Sequence, residues 1–273
     1  MFEGQCWWIT GASSGIGEAL ALGLAEKGAR LVLSGRNLGE LARVAKACGS
    51  DRCLILPFDT TDIAAIGGLV EEALAWAGRI DGLINNAGIS QRSLAVETEY
   101  AVYEKIVAVD LLAPIALTQA VLPHMVAAGG GQIVSISSVA GIAGVPMRTA
   151  YCAAKHGLIG YCDALRAEVA HLGVKVLVVA PGSVKTGIAR NAILSDGSVR
   201  GVSDAAIEAG MTTEHAAAVI LEALKLGSRE LILAEGGEMA IAHLSRTDRD
   251  RCFDTMAASM QSGYAEKMKA DQG

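Results

Sequence analysis

The sequence predicts a doubly wound α/β fold, a parallel sheet with helices on both faces. Short runs rich in β-branched and apolar residues alternate along the chain with longer segments whose apolar positions recur at helical spacing. The short runs are almost continuously apolar, as strands are when helices cover both faces of a sheet. With 273 residues, 52% hydrophobic and 19% charged, the chain can fill a sizeable core and is not a mainly disordered polymer.

In chain order, strands are expected at 5–10, 30–34, 53–57, 82–85, 132–137, 175–180 and 230–234. Helices are expected between them at 15–28, 38–48, 63–77, 102–127 and 150–172. No repeat, charge block or low-complexity linker breaks the alternation, so residues 1–273 read as one domain. Between 182 and 210 the periodicity fades while Gly, Ser, Asp and Asn accumulate, the pattern of a long substrate loop or lid. The tail from His243 onward is polar and reads as partly helical, with no interpretable motif.

The 23 Lys+Arg against 29 Asp+Glu give a formal charge of −6. That balance argues against a nucleic-acid partner, whose footprint is a clustered basic patch. Six cysteines, Cys6, Cys48, Cys53, Cys152, Cys162 and Cys252, have irregular spacing and no C-x-x-C, which suits reduced thiols in a cytoplasmic protein. The start, MFEGQCWWITG, has no basic region followed by an apolar run. The most hydrophobic stretch, 106–128, contains Asp110, Pro114, Gln119, Pro123 and His124; a bilayer core would penalise these, so a buried helix and no membrane span are expected.

The first strand runs into Thr10-Gly11-Ala12-Ser13-Ser14-Gly15-Ile16-Gly17 and then directly into a helical pattern. Glycines at such a turn allow a tight backbone, admit a pyrophosphate closely, and aim helix N-terminal N–H groups at its charge. Gly11, Ser13, Ser14, Gly15, Ile16 and Gly17 are therefore candidate cofactor-binding residues on a Rossmann-like fold. Cofactor choice is set about 20 residues past the glycines, where an acid would bond the ribose 2′-hydroxyl of NAD. Gly35 falls there and Arg36 follows it; the missing carboxylate and the guanidinium favour NADP(H).

The T-G-x-x-x-G-x-G spacing resembles the short-chain dehydrogenase/reductase family. The resemblance continues through Asp59-Thr60, Asn85-Asn86-Ala87-Gly88, Ser138, Tyr151-x-x-x-Lys155 and Pro181-Gly182, over roughly residues 5 to 235. It implies that Asp59 contacts adenine and that Asn86, Ala87 and Gly88 pack beside the adenosine ribose. For Asp59, a helix cap or turn role is the alternative.

Tyr151 and Lys155 are four residues apart in a helical segment and so share a face. An ammonium beside a phenol favours the phenolate and so aids proton exchange. By the resemblance, Tyr151 gives a proton to a carbonyl oxygen during hydride reduction, or takes one in reverse. Lys155 also holds the nicotinamide ribose, and Ser138, thirteen residues before Tyr151, bonds the substrate oxygen. Neighbouring Ser137 reads as a structural hydroxyl. Pro181-Gly182-Ser183-Val184-Lys185-Thr186 resembles the loop that contacts the nicotinamide carboxamide, with Thr186 as hydroxyl donor. The family's usual catalytic asparagine falls at Asp110, a departure. Two readings stand: Asp110 supports charged Lys155 through a water and raises its pKa, or it bonds backbone in a helix kink. The five histidines show no metal-ligand spacing, and His156 points away on another helix face.

Further stretches, among them Gly88-Ile89-Ser90-Gln91-Arg92-Ser93-Leu94 and Met211-Thr212-Thr213, resemble the branch around dehydrogenase/reductase member 7. That branch implies lipophilic carbonyl substrates; the anchoring segment of its animal members is not found here, which fits a soluble protein. Candidate pocket residues are Ser90, Val139, Val145, Met147, Ser183 and Ile188, suggesting an uncharged ketone or secondary alcohol. Helices that stay apolar beyond one stripe suggest a homodimer or homotetramer. Two rivals to an NADP(H)-dependent reductase remain: a non-catalytic NADP(H)-binding sensor or scaffold, and a sugar-nucleotide epimerase.

Overall fold

The computed structural model describes residues 2–270. Among them, seven strands form one parallel sheet in the order β3-β2-β1-β4-β5-β6-β7. The strands are β1 (Cys6–Thr10), β2 (Arg30–Gly35), β3 (Cys53–Pro57), β4 (Gly82–Asn85), β5 (Gly131–Ile136), β6 (Val174–Pro181) and β7 (Glu230–Leu233). All lie within one or two residues of the expected positions. The chain winds outward from β1 to β3, then crosses back to place β4 on the other side of β1. Between β1 and β4 the winding direction reverses, and crevices open there at the carboxyl ends of the strands.

The first helices are α1 (Gly15–Ala25), α2 (Leu38–Cys48) and α3 (Ile66–Ala77). They are followed by α4 (Tyr100–Val107), α5 (Ala113–Ala127), α6 (Thr149–Val169), α7 (Ala205–Glu208) and α8 (Thr213–Lys225). One apolar layer packs α1, α2 and α8 on the sheet around Ile9, Leu20, Leu33 and Ile220. The opposite layer packs α3, α5 and α6 around Trp8, Val70, Leu117 and Leu158. Every residue of β1 is buried. Trp7 accounts for Gly82, where an added Cβ would sit 2.2 Å from the indole; Trp8 donates its indole N–H to Ser34 at 2.9 Å.

The single helix expected at 102–127 is a Tyr100–Ala127 rod interrupted by a π-helical turn, Ala108–Leu112, between α4 and α5. Pro114 stands two residues beyond it; it has no N–H for the carbonyl of Asp110, and its ring crowds that carbonyl, so the turn loosens there. The rod is 28 residues long, and an 18-residue window of it has a mean hydropathy of 1.8, long and apolar enough by those measures to cross a membrane. In the fold it lies against α3, α6 and the sheet.

The tail is more ordered than expected. It forms α9 (Gly236–Thr247), α10 (Arg249–Gln261) and α11 (Tyr264–Ala270), with α9 beginning before His243. Ala242 of α9 packs on Val139 and Ala234, and Ser245 donates to the Ile142 carbonyl at 2.8 Å, so the tail braces the loop after β5.

Candidate active site

The Gly-rich turn joins β1 to α1 at the switch point. Gly11 and Gly15 have φ of +64° and +60°, a left-handed backbone that glycine adopts without a Cβ penalty. At Gly17, an added Cβ would lie 2.3 Å from the Gly11 carbonyl and 2.5 Å from Asn86 Nδ2. These glycines leave an open cradle at the start of α1, whose first N–H groups have no partners within the helix. Ser14, the cap residue, makes no side-chain bond to the helix, and Ser13 Oγ lies toward Gly35. Donors and positive dipole point one way, as a pyrophosphate requires.

The β4 end is tied to this turn by side chains. The Thr10 hydroxyl accepts the N–H groups of Asn86 and Ala87 at 3.0 and 3.1 Å, and Asn86 Nδ2 donates to the Thr10 and Gly11 carbonyls. Asn86 and Ala87 therefore shape the Gly-rich turn itself, a role that the sequence reading left out. A small hollow lies beside it, lined by Thr10, Phe58, Thr60, Asn85, Ala87 and Val109 among others. Asp59 accepts the Thr61 N–H at 2.9 Å and its hydroxyl at 2.7 Å, the turn role given as its alternative. Those two bonds hold its carboxyl below the usual range, with the Arg36 charge adding to them. Arg36 is exposed at the end of β2.

Ser138, Tyr151 and Lys155 come from the end of β5 and from α6. Ser138 Oγ accepts the Ala140 N–H at 3.1 Å and donates toward the Pro181 carbonyl at 3.4 Å. Lys155 Nζ lies 5.6 Å from the Tyr151 ring centroid and donates to the Ile136 carbonyl at 3.0 Å. Ser137 donates to the Lys155 carbonyl at 3.1 Å, and His156 Nδ1 contacts the Cys152 carbonyl at 2.8 Å; both are occupied with backbone.

Asp110 sits in the π-helical turn and is buried. Its Oδ2 is 3.3 Å from Lys155 Nζ, a direct ion pair rather than the water-linked contact expected. Its Oδ1 accepts the Ile89 N–H at 2.8 Å, so the backbone-bonding reading also describes it. Burial opposes charge on Lys155 most strongly, yet Asp110 and then Tyr151 leave its pKa above the ordinary lysine value. Burial in turn pushes the Asp110 carboxyl up, and the two titrate as a unit. Gly88 backs onto the pair, with an added Cβ 3.4 Å from Lys155 Nζ and both Asp110 oxygens.

The loop after β6 faces the Gly-rich turn: the Thr186 methyl would lie 3.1 Å from a Cβ at Gly15. Between them is a cleft of about 310 Å³ lined by Gly15, Lys185, Thr186, Gly187, Arg190, Glu208 and Thr213. The segment 182–210 is anchored rather than loose. Ile193 pairs with Ser90 and Arg92 through backbone bonds of 2.8 and 3.0 Å, and buried Asp204 pairs with Arg92 at 2.5 Å, with Arg200, and with Arg148 at 3.5 Å. Of the suggested pocket residues, Ser90 is engaged by Arg92 at 2.8 Å and Ser183 by Glu238. Met147 is buried with φ of 62°, left-handed backbone that turns the chain into α6. Arg148, Arg200, Asp204 and Glu238 carry no sequence motif: apart from the Arg200–Asp204 pair, four residues apart, their partners lie up to 112 residues away.

A glycine-rich strand-to-helix turn at the switch point of a seven-stranded parallel sheet defines a nucleotide-binding Rossmann-fold protein. The chain belongs to the short-chain dehydrogenase family, whose model matches residues 5–196. It is 41% identical over 239 residues to dehydrogenase/reductase SDR family protein 7-like of Anopheles gambiae, covering 85% of this chain and 75% of that one. A short-chain dehydrogenase/reductase of Burkholderia phymatum solved with NAD is similar in fold, with a TM-score of 0.81 at 25% identity over 91% of this chain and 95% of that one. A metagenomic short-chain oxidoreductase solved with NADP has a TM-score of 0.69 at 31% identity over 85% and 97%.

Proposed function

We propose that this protein is an NADP(H)-dependent reductase of neutral, lipophilic ketones or aldehydes, also able to oxidise the corresponding alcohols. The observation that carries the reading is Lys155 held charged beside Tyr151 by the Asp110 ion pair, on an α6 face directed to the end of β5. Gly11, Gly15 and Gly17, the first N–H groups of α1, and Ser13 and Ser14 would hold the cofactor's phosphates. Arg36, with no acid at Gly35, favours a 2′-phosphate, while Pro181, Gly182 and Thr186 would face the nicotinamide end. When bound, the nicotinamide supplies or accepts a hydride at the substrate carbon.

Ser138 orients the substrate oxygen by hydrogen bonding. Tyr151 protonates that oxygen in reduction and takes the proton back in oxidation. Lys155 favours the phenolate left behind, and Asp110 keeps Lys155 in position and charged. Val139, Val145 and Ile188 support an apolar substrate wall. A cytoplasmic homodimer or homotetramer accompanies this reading; cell fractionation and size-exclusion chromatography test it.

The direct test follows NADPH and NADH oxidation by the wild type and Tyr151→Phe over small, aryl and steroid-like ketones. Loss of one positioned acid is worth about 10²–10⁴-fold in rate, so the variant should be nearly silent while still binding cofactor. A variant as active as the wild type would sink the assignment.

A further inference from the structure

We infer that Glu238, in the first turn of the C-terminal helix α9, is a positioning residue for the loop that receives the nicotinamide end of the cofactor. The inference rests on the dinucleotide reading above and adds a residue to it from outside the family's matched region, which ends at residue 196.

The geometry is specific. Glu238 Oε2 accepts the Ser183 N–H at 2.7 Å, and Oε1 accepts the Ser183 hydroxyl at 2.8 Å. Hydrogen bonds to a carboxylate at these lengths are about twice as strong as neutral ones. The first turn of a helix favours a negative charge, because its N–H groups point that way. Gly182 makes the approach possible: a Cβ there would lie 2.2 Å from Glu238 Oε2, so any side chain would evict the carboxylate. The glycine that follows β6 thus has a second reason to be glycine.

The clamp fixes Ser183 from two sides. Its amide and hydroxyl go to Glu238, while its carbonyl accepts the Met211 N–H at 3.1 Å, and Lys185 returns its own N–H to the Met211 carbonyl at 2.9 Å. Three residues beyond Ser183, Thr186 meets Gly15 across the cleft. Holding Ser183 therefore sets how far Thr186 stands from the Gly-rich turn. Released, the loop keeps its pairing with Met211 but loses its fixed distance from Gly15.

This separates the two halves of the cofactor and so gives the test. Wild type, Glu238→Ala, Glu238→Gln and Ser183→Ala are titrated calorimetrically with NADP⁺ and with 2′-phospho-ADP-ribose, which lacks only the nicotinamide. If NAD⁺ is the tighter ligand, it is paired with ADP-ribose instead. Glu238→Ala should weaken the whole cofactor about tenfold and the adenine half less than about twofold. Glu238→Gln, which keeps one acceptor oxygen, should fall between, as should Ser183→Ala; both conservative variants serve if the alanine at 238 fails to fold. Steady-state kinetics should show the loss in the KM for the cofactor more than in kcat. Equal weakening of both ligands would mean a general structural role and overturn the proposal, as would no change in either. A wild type that binds neither dinucleotide would overturn the functional reading first and this one with it.

Discussion

Lys155 Nζ and the Asp110 carboxylate meet at 3.3 Å inside the protein, with both side chains at most 4% exposed. Two strictly buried charges are tolerable only as a pair. The pair is also asymmetric in function, since Lys155 faces Tyr151 while Asp110 is anchored to the Ile89 backbone.

Asp110→Asn should therefore change the pH dependence of catalysis. Lys155 is a base whose pKa in the fold is raised by Asp110, so its charge is secure at neutral pH and is lost only as pH rises through that value. Removing the carboxylate lowers the value and brings the alkaline fall in activity toward neutrality. An unchanged pH–rate profile for Asp110→Asn would refute this role.

The cradle gives a sharper structural test. Gly17→Ala places a Cβ 2.3 Å from the Gly11 carbonyl and 2.5 Å from Asn86, contacts that force the turn and the β4 end apart. Dinucleotide binding should be lost in calorimetry, with a lower melting temperature. Gly67→Ala, where nothing lies within 4 Å, is the control and should bind as the wild type does.

Cofactor preference should depend on Arg36, which is exposed at the end of β2. Arg36→Ala should lower the ratio of kcat/KM for NADPH over NADH about tenfold, the worth of one charge-assisted contact. A ratio that stays put would move the choice elsewhere.

The anchoring of the 182–210 segment predicts a stability effect with a definite sign in pH. Burial opposes ionisation of Asp204, but the facing guanidiniums, Arg92 first, win and hold its pKa below the usual value. Its stabilisation is present above the ordinary carboxylate range and is lost as pH falls through the depressed value. Asp204→Asn leaves buried guanidiniums uncompensated, at about 3–5 kcal/mol. Its melting temperature at neutral pH should fall by on the order of 10 °C, with the gap from wild type closing in acid. Parallel melting curves across pH would contradict the assignment.

The seven strands and their parallel arrangement were legible because burial on both faces leaves a continuous apolar run in the sequence itself. The Gly-rich turn, Ser138, Tyr151 and Lys155 were legible for a related reason: a strand end, a tight turn and one helix face fix local spacings that survive in one dimension. Local sequence also held the Pro114 signal for the π-helical turn, and a helix kink at Asp110 was one of its two readings. Tertiary structure alone decided the direct contact of Asp110 with Lys155, the sharing of Asp204 among arginines, and the grip of Glu238 on Ser183. Each needs at least one group from a distant part of the chain, Ser183 and Glu238 being 55 positions apart, and the strength of a contact to a charge depends on distance in space while leaving no period along the chain.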